Sequence, residues 1–292
     1  MRKILISVVL ALVLFITVSC YTRNVNKAKD ELTSMKSVYS NVMETLNFFP
    51  PTRITGTQGD IDTTRVIKEF LENCDYKVEL QEFEYNLTKQ GFAFLKDEKL
   101  WEGFEVQSTG KSNNIIAYKD RDESKKDVIV CAHYDTTEKN QVNDNGIGVS
   151  IILNCAKNIS ASEKYNIIYV FFTGEAQLIG SKYYVSALTE KEKENIVAVI
   201  NLDEICGESN VKVGFNDGEK NEAYYIFEDV VKDATVDISF NTVESILLEK
   251  YGIPVMNIGQ LPKSDFEVVE VNPNKENVEQ AYRILCDCLN KK

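Results

Sequence analysis

A chain of 292 residues, 43% of them hydrophobic, has enough apolar surface for one sizeable core. Its formal net charge of −12 would repel a phosphate backbone, which weighs against nucleic-acid binding. Seven cysteines without dense framework spacing weigh against a small disulfide-stapled scaffold.

Residues 1–20 read as a lipoprotein-type signal peptide. Arg2 and Lys3 give a basic start, Ile4 to Val18 an apolar run, and Thr17-Val18-Ser19-Cys20 an end resembling a lipobox, with Thr17 where leucine is more usual. The 15-residue run is short of the roughly 20 residues a bilayer span needs. The expectation is export, with a lipid on Cys20 anchoring the chain to the outer face of the bacterial cell membrane; an uncleaved anchor is the alternative. Residues 21–49 come next as an amphipathic helix, with Val25, Ala28, Leu32, Met35, Tyr39, Val42, Leu46 and Phe49 in steps of three and four. It either packs on the globular body or pairs as a coiled coil. Pro50-Pro51 marks the edge of a domain covering residues 50–292.

Asp62-Thr63-Thr64 looks like a helix cap before Val66, Ile67, Phe70 and Leu71, and Tyr76–Asn86 like an edge strand. Thr88–Ser112 reads as a hairpin or insertion carrying Trp101, and Asn113–Tyr118 as a strand. The apolar runs Val128–Ala132, Ile167–Phe172 and Ile196–Ile200 each predict a strand buried on both faces, as in a parallel sheet covered by helices. Further on, strands are expected at Val211–Phe215, Val236–Phe240 and Ile253–Ile258, and helices at Asn221–Lys232, Val243–Lys250 and Glu276–Asn290. Cys131 and Cys155 lie in apolar runs as small hydrophobes. Cys286 and Cys288 would face different sides of their helix.

Chemistry-bearing residues follow the three buried runs: His133-Tyr134-Asp135, then Asn143-Asp144-Asn145 opening a helix, Gly174-Glu175-Ala176, and Asn201-Leu202-Asp203. Carboxyl ends of parallel strands are where sites of this fold class collect. The order His-x-Asp, Asn-Asp-Asn, Gly-Glu, Leu-x-Gly-Ser and Asn-Leu-Asp resembles the two-zinc exopeptidases of the aminopeptidase Y and bacterial leucyl aminopeptidase type, and more distantly the glutaminyl cyclases. Arg53-Ile54-Thr55-Gly56 and Gly252-Ile253-Pro254 are weaker supporting matches. The resemblance implies a three-layer α/β fold, a mixed and mostly parallel sheet between helices. It implies zinc as cofactor and hydrolysis of amino-terminal residues from peptides by metal-activated water.

Carried over by motif, His133 would bind zinc, Asp135 would orient it, and Asp144 would bridge two metals. Asp203 would serve the other zinc. The sequence departs from the family in two places. Where the family has a Glu-Glu pair, base then ligand, only Glu175 is present: aligned from Phe171-Phe172 it is the base and Ala176 replaces the ligand, whereas aligned from Leu178–Ser181 it is the ligand and Gly174 replaces the base. The family's second zinc also takes a downstream histidine, and His133 is the only histidine in the chain. Asp265 or Glu267 could fill that place, and Val243-Glu244-Ser245 replaces a Ser-Asp-His motif. Metal ligands are therefore expected to be His133, Asp144, Glu175 and Asp203 around one zinc or none, with Glu175 and Asp135 as catalytic residues. Three readings stay open: a metallo-aminopeptidase, a catalytically inactive relative that binds peptides or a partner, and a surface lipoprotein acting through its leading helix.

Overall fold

The computed structural model describes residues 38–99, 102–139, 141–159, 162–206, 209–215, 220–232, 234, 236, 242–260 and 273–290. Contacts divide the chain into two units, Met1–Asn41 and Val42–Lys292, and the sheet with the helices packed on it belongs to the second. The expected signal peptide, most of the leading helix, Trp101, the strand residues 237–240, Asp265 and Glu267 lie outside the described residues. No helix among the described residues is long and apolar enough to cross a membrane.

One eight-stranded sheet carries the unit, in the order β2-β1-β3-β5-β4-β6-β8-β7. Its strands are β1 Lys77–Thr88, β2 Ala93–Leu95, β3 Val106–Tyr118, β4 Lys126–His133, β5 Tyr165–Phe172, β6 Ile196–Asp203, β7 Lys212–Gly214 and β8 Val255–Gly259. The four central strands β5, β4, β6 and β8 are parallel, and β3 and β7 flank them antiparallel. The three apolar runs become β4, β5 and β6, buried almost end to end, because a strand with helices on both faces has no solvent side to alternate toward.

The helices are α1 Gln58–Glu72, α2 Gly146–Asn158, α3 Ile179–Ala187, α4 Glu190–Asn195, α5 Glu222–Val231, α6 Val243–Lys250 and α7 Lys275–Leu289. Tyr184 and Val185 of α3 and Leu248 of α6 pack with Ile129, Cys131, Ile168 and Val170 on one face of the sheet. Alternation turns Val128, Val130 and Ala132 to the other face, where α1, α2, α5 and α7 pack on one another and on β3, β4 and β6. Val42, Leu46 and Phe49 are buried, and Thr45 accepts a 3.0 Å hydrogen bond from Asn154 of α2, so residues 42–49 belong to the body.

Three local expectations need correction. The helix at 58–72 starts four residues before the supposed Asp62 cap, behind Thr57, and Thr63 and Thr64 sit inside it. Their hydroxyls donate back to the Gly59 and Asp60 carbonyls at 2.7 and 3.0 Å, which is how a mid-helix threonine satisfies itself. β1 is not the edge strand, since β2 pairs outside it. β3 starts at Val106 rather than Asn113: its first half is exposed and polar, and is held by backbone pairing to β1 instead of by an apolar stripe.

Candidate active site

His133 ends β4, Asp203 ends β6, and Glu175 follows β5 after two residues, so adjacency of these strands in the sheet brings together residues far apart in sequence. Asp144 lies just before α2. Asn145, in the left-handed region at φ 43, joins the two strand ends: its amide nitrogen donates to the His133 carbonyl at 3.2 Å and to the Leu202 carbonyl at 2.9 Å. Gly148 permits this approach, since a Cβ there would stand 2.3 Å from Asn145 Oδ1 and 3.3 Å from the Leu202 oxygen.

Arg53 fixes the same loops from below. It is fully buried, and its guanidinium donates to the carbonyls of Tyr134 (2.7 Å), Pro50 (2.9 Å), Asp144 (2.6 Å) and Gln141 (3.4 Å), while its backbone N–H donates to Thr136 Oγ1 at 3.0 Å. A planar fork with five donors suits a cluster of carbonyls converging from three segments. Burial draws its pKa down to about 10, against the pull of Asp144 and Asp135. Its motif was legible as a family match; its role as the clamp of the Asp135 and Asp144 loops was not.

Around the imidazole, Nε2 stands 3.4 Å from Asp203 Oδ1 and 3.9 Å from Asp144 Oδ1, and Nδ1 stands 3.6 Å from Asp135 Oδ1. Asp203 therefore faces the same nitrogen of His133 as Asp144 does. The cause is that β6 lies directly beside β4, which linear order does not reveal. Asp135 sits on the opposite nitrogen, as a positioning acid would. It accepts a hydrogen bond from Thr55 Oγ1 at 3.1 Å and from the Glu175 backbone N–H at 3.4 and 3.3 Å to its two oxygens. Its hydrogen bonds thus go to Thr55 and to the main chain of Glu175, while at 3.6 Å it faces His133 Nδ1 as a nearby charge and leaves that buried nitrogen without a hydrogen bond.

Burial alone would lower the His133 pKa, but Asp135 and Asp203, aided by Glu175, outweigh it and raise the value well above the ordinary one. Burial pushes the Glu175 carboxyl up to about 7, with Asp203, Asp135 and Asp144 adding to the rise and His133 opposing it. Asp144 is raised by burial too.

Two further acids, Glu204 and Asp60, carry no signal in the sequence, and a third, Glu244, stands out there only as part of the replacement of a family motif. Glu244, in the first turn of α6, is buried with neither carboxylate oxygen hydrogen-bonded, and its pKa is raised well above normal by burial, with His133 opposing and Asp203 and Glu175 reinforcing. Glu204 is exposed as a residue, yet its carboxyl is withdrawn from water enough, and near enough to Asp203 and Glu175, to be pushed up to about 7. Asp60 of α1 is buried and accepts hydrogen bonds from Gly56 N–H (2.8 Å), Ser112 (2.5 Å) and Thr173 (3.0 Å), tying the Thr55 loop to the end of β5.

These shifts share one sign in the metal-free protein. Between its ordinary value of 4.5 and the folded value of about 7, Glu175 holds a proton in the folded state that the unfolded chain has released. Its contribution to stability is present below about 4.5 and lost as pH rises through about 7, and the raised Glu204, Asp144, Glu244 and Asp60 act in the same direction. Melting temperature with chelator present should therefore fall from pH 5 to pH 7.5; a rising profile would contradict this electrostatic picture.

The donor set can be tested against zinc. Tetrahedral zinc with bonds of about 2.0–2.2 Å places its donors roughly 3.3–3.6 Å apart. The Nε2–Asp203 distance meets this and the Nε2–Asp144 distance exceeds it slightly. Among the described residues no group of three or more His, Cys, Asp or Glu side chains stands fully assembled as a metal site. The chemistry of His133, Asp144 and Asp203, one imidazole and two carboxylates, is of the kind zinc takes, and His133 is the only histidine in the chain. A cleft of about 190 Å³ lined by Arg121, Asp127, Tyr184 and Glu192 lies at the opposite, amino-terminal end of the central strands, away from these residues.

Comparison with known proteins decides the family. The model of peptidase family M28 matches residues 113–280, which include every sequence-predicted site residue. The chain belongs to peptidase family M28. Aminopeptidase YwaD of Bacillus subtilis is 34% identical over 126 residues, covering 40% of this chain and 27% of YwaD. The chain spans about half or less of the length of the curated relatives it matches first. Among solved structures, BSAP, a zinc aminopeptidase from Bacillus subtilis, superposes with a TM-score of 0.68 at 18% identity, covering 87% of this chain and 94% of that one. A glutaminyl cyclase from Fimbriiglobus ruber superposes with a TM-score of 0.62 at 16% identity, over 87% and 94% of the two chains. These likenesses establish the M28-type α/β fold.

Proposed function

We propose that this chain is a metallo-aminopeptidase-type hydrolase that works with a single zinc ion held by His133, Asp144 and Asp203, acting on the amino-terminal end of peptides. The observation that supports it is the convergence of Asp203 and Asp144 on Nε2 of His133, which supplies three ligands without Glu175. Three protein ligands and an open position are the pattern of catalytic zinc sites. Glu175, whose main chain is tied to Asp135, is then left as the proton carrier.

Bound zinc would supply Lewis-acid polarisation of the scissile carbonyl and its attacking water. The chain's own residues do the rest. Asp135 faces the Nδ1 side of the imidazole as a counter-charge and anchors the Glu175 main chain, which keeps the base close to the ligand histidine. Glu175 takes the proton of the attacking water and returns it to the departing amine.

Glu175→Gln is the discriminating variant. It should retain about one zinc per chain, measured by elemental analysis after loading and desalting, and lose roughly 100–10,000-fold in turnover of aminoacyl reporter substrates. Loss of the metal instead would make Glu175 a ligand. A wild-type chain that holds zinc without turning over any reporter would favour the inactive, peptide-binding reading, which draws on Gly174 and Ala176 flanking the lone glutamate and on the single histidine.

The proposal extends to export and lipid attachment at Cys20, supported by the basic start, the apolar run and the Thr17–Cys20 end. Cys20→Ser should move the chain from the membrane fraction to the soluble exported fraction; unchanged fractionation would count against it.

A further inference from the structure

Cys155 lies near the end of α2 and Cys286 near the end of α7, 131 residues apart in sequence, and their sulfur atoms stand 2.9 Å from each other. That is closer than two thiols need to be for packing and about 0.9 Å longer than a disulfide bond. The helices already pack against each other, so closing the gap requires a side-chain adjustment rather than a movement of elements. We propose that Cys155 and Cys286 form a disulfide that cross-links α2 to α7 in an oxidising compartment.

The two sulfurs have complementary roles. Cys155 is buried, and its pKa is pushed well above the ordinary value, so it stays a thiol. Cys286 is partly exposed, and hydrogen bonds from Cys155 and from the Tyr282 hydroxyl hold its pKa down against burial and Asp287. Tyr282 is held in turn by Asn158, whose amide nitrogen donates to its hydroxyl at 2.8 Å. Cys286 is therefore the attacking thiolate. It attacks one sulfur of a low-molecular-weight disulfide and expels the other half as a thiolate. Cys155 then gives up its proton and displaces the second half from the Cys286 sulfur. Two protein thiols lose two electrons and two protons, and the oxidant's disulfide is reduced to two thiols. The closed loop contains Glu175 and Asp203 along with β5, β6 and β8, so the link restrains much of the chain that builds the site.

The full chain, fully reduced, is treated with oxidised glutathione, alkylated, digested with trypsin and mapped by mass spectrometry. The expected product joins peptide 140–157 to peptide 284–291, with melting temperature raised by roughly 10 °C over the reduced protein. Cys288→Ser should keep the link and Cys286→Ser should lose it. A folded wild-type protein that yields only a glutathione adduct at Cys286, or no link between these peptides, overturns the proposal, as does a link that survives in Cys286→Ser through Cys288. Because the readout is covalent mapping, it stands apart from zinc content and turnover.

Discussion

His133→Ala should leave the protein with no retained zinc and no aminopeptidase-type turnover. His133 is the only histidine in the chain, so no neighbouring imidazole can take its place, and the two aspartates facing its Nε2 would make a pair of hard oxygen donors that binds zinc poorly. The loss of metal affinity should exceed the roughly 10–100-fold that removal of an outer partner typically costs, and Asp135→Asn, which leaves all three ligands, should fall within that smaller range. Equilibrium dialysis against zinc measures both. The variant should also be less stable without metal, since Asp135, Asp144 and Asp203 lose the cation they share. Undiminished zinc binding in folded His133→Ala would place the metal elsewhere.

Arg53→Ala should cost about 3–5 kcal/mol of stability, the range for leaving buried polar partners of a removed charge uncompensated. Arg53 supplies the donors for four carbonyls from Pro50, Tyr134, Gln141 and Asp144, and is itself fully buried. For a chain of this size that corresponds to a melting-temperature loss of roughly 10 °C. Because two of those carbonyls flank the ligand-bearing segments, zinc affinity should fall as well, although Arg53 touches no proposed ligand side chain. Arg53→Lys should recover little, since an ammonium cannot present the same fork. A shift of only a degree or two would show that the loops hold without the clamp.

The central fold was legible because β4, β5 and β6 are apolar on both faces and each ends on a residue or turn with chemistry. His133, Glu175 and Asp203 fell at strand ends for the same reason. What linear order could not give is which strands are neighbours. Asp203 comes 70 residues after His133, with Glu175 between them, yet β6 sits next to β4 and brings Asp203 beside the imidazole. Glu244 stood out only as part of the Val243-Glu244-Ser245 replacement of a family motif, because an acid in the first turn of a helix otherwise reads as a solvated dipole partner. Only packing shows it buried and without a hydrogen-bond partner beside the site's acids. The first half of β3 was missed because Gln107–Lys111 has no apolar alternation and owes its extended form to pairing with β1. The Cys155–Cys286 contact joins helices from distant parts of the chain, and neither spacing nor composition points to it.

The claim that one zinc ion sits among His133, Asp144 and Asp203 is tested most directly by a crystal of the zinc-loaded protein measured at the zinc absorption edge. The account predicts a single anomalous peak about 2.0–2.2 Å from His133 Nε2 and from an oxygen of each aspartate, with the Glu175 carboxylate outside bonding distance. A peak bonded to Glu175, two peaks bridged by Asp144, or no peak at His133 would contradict it.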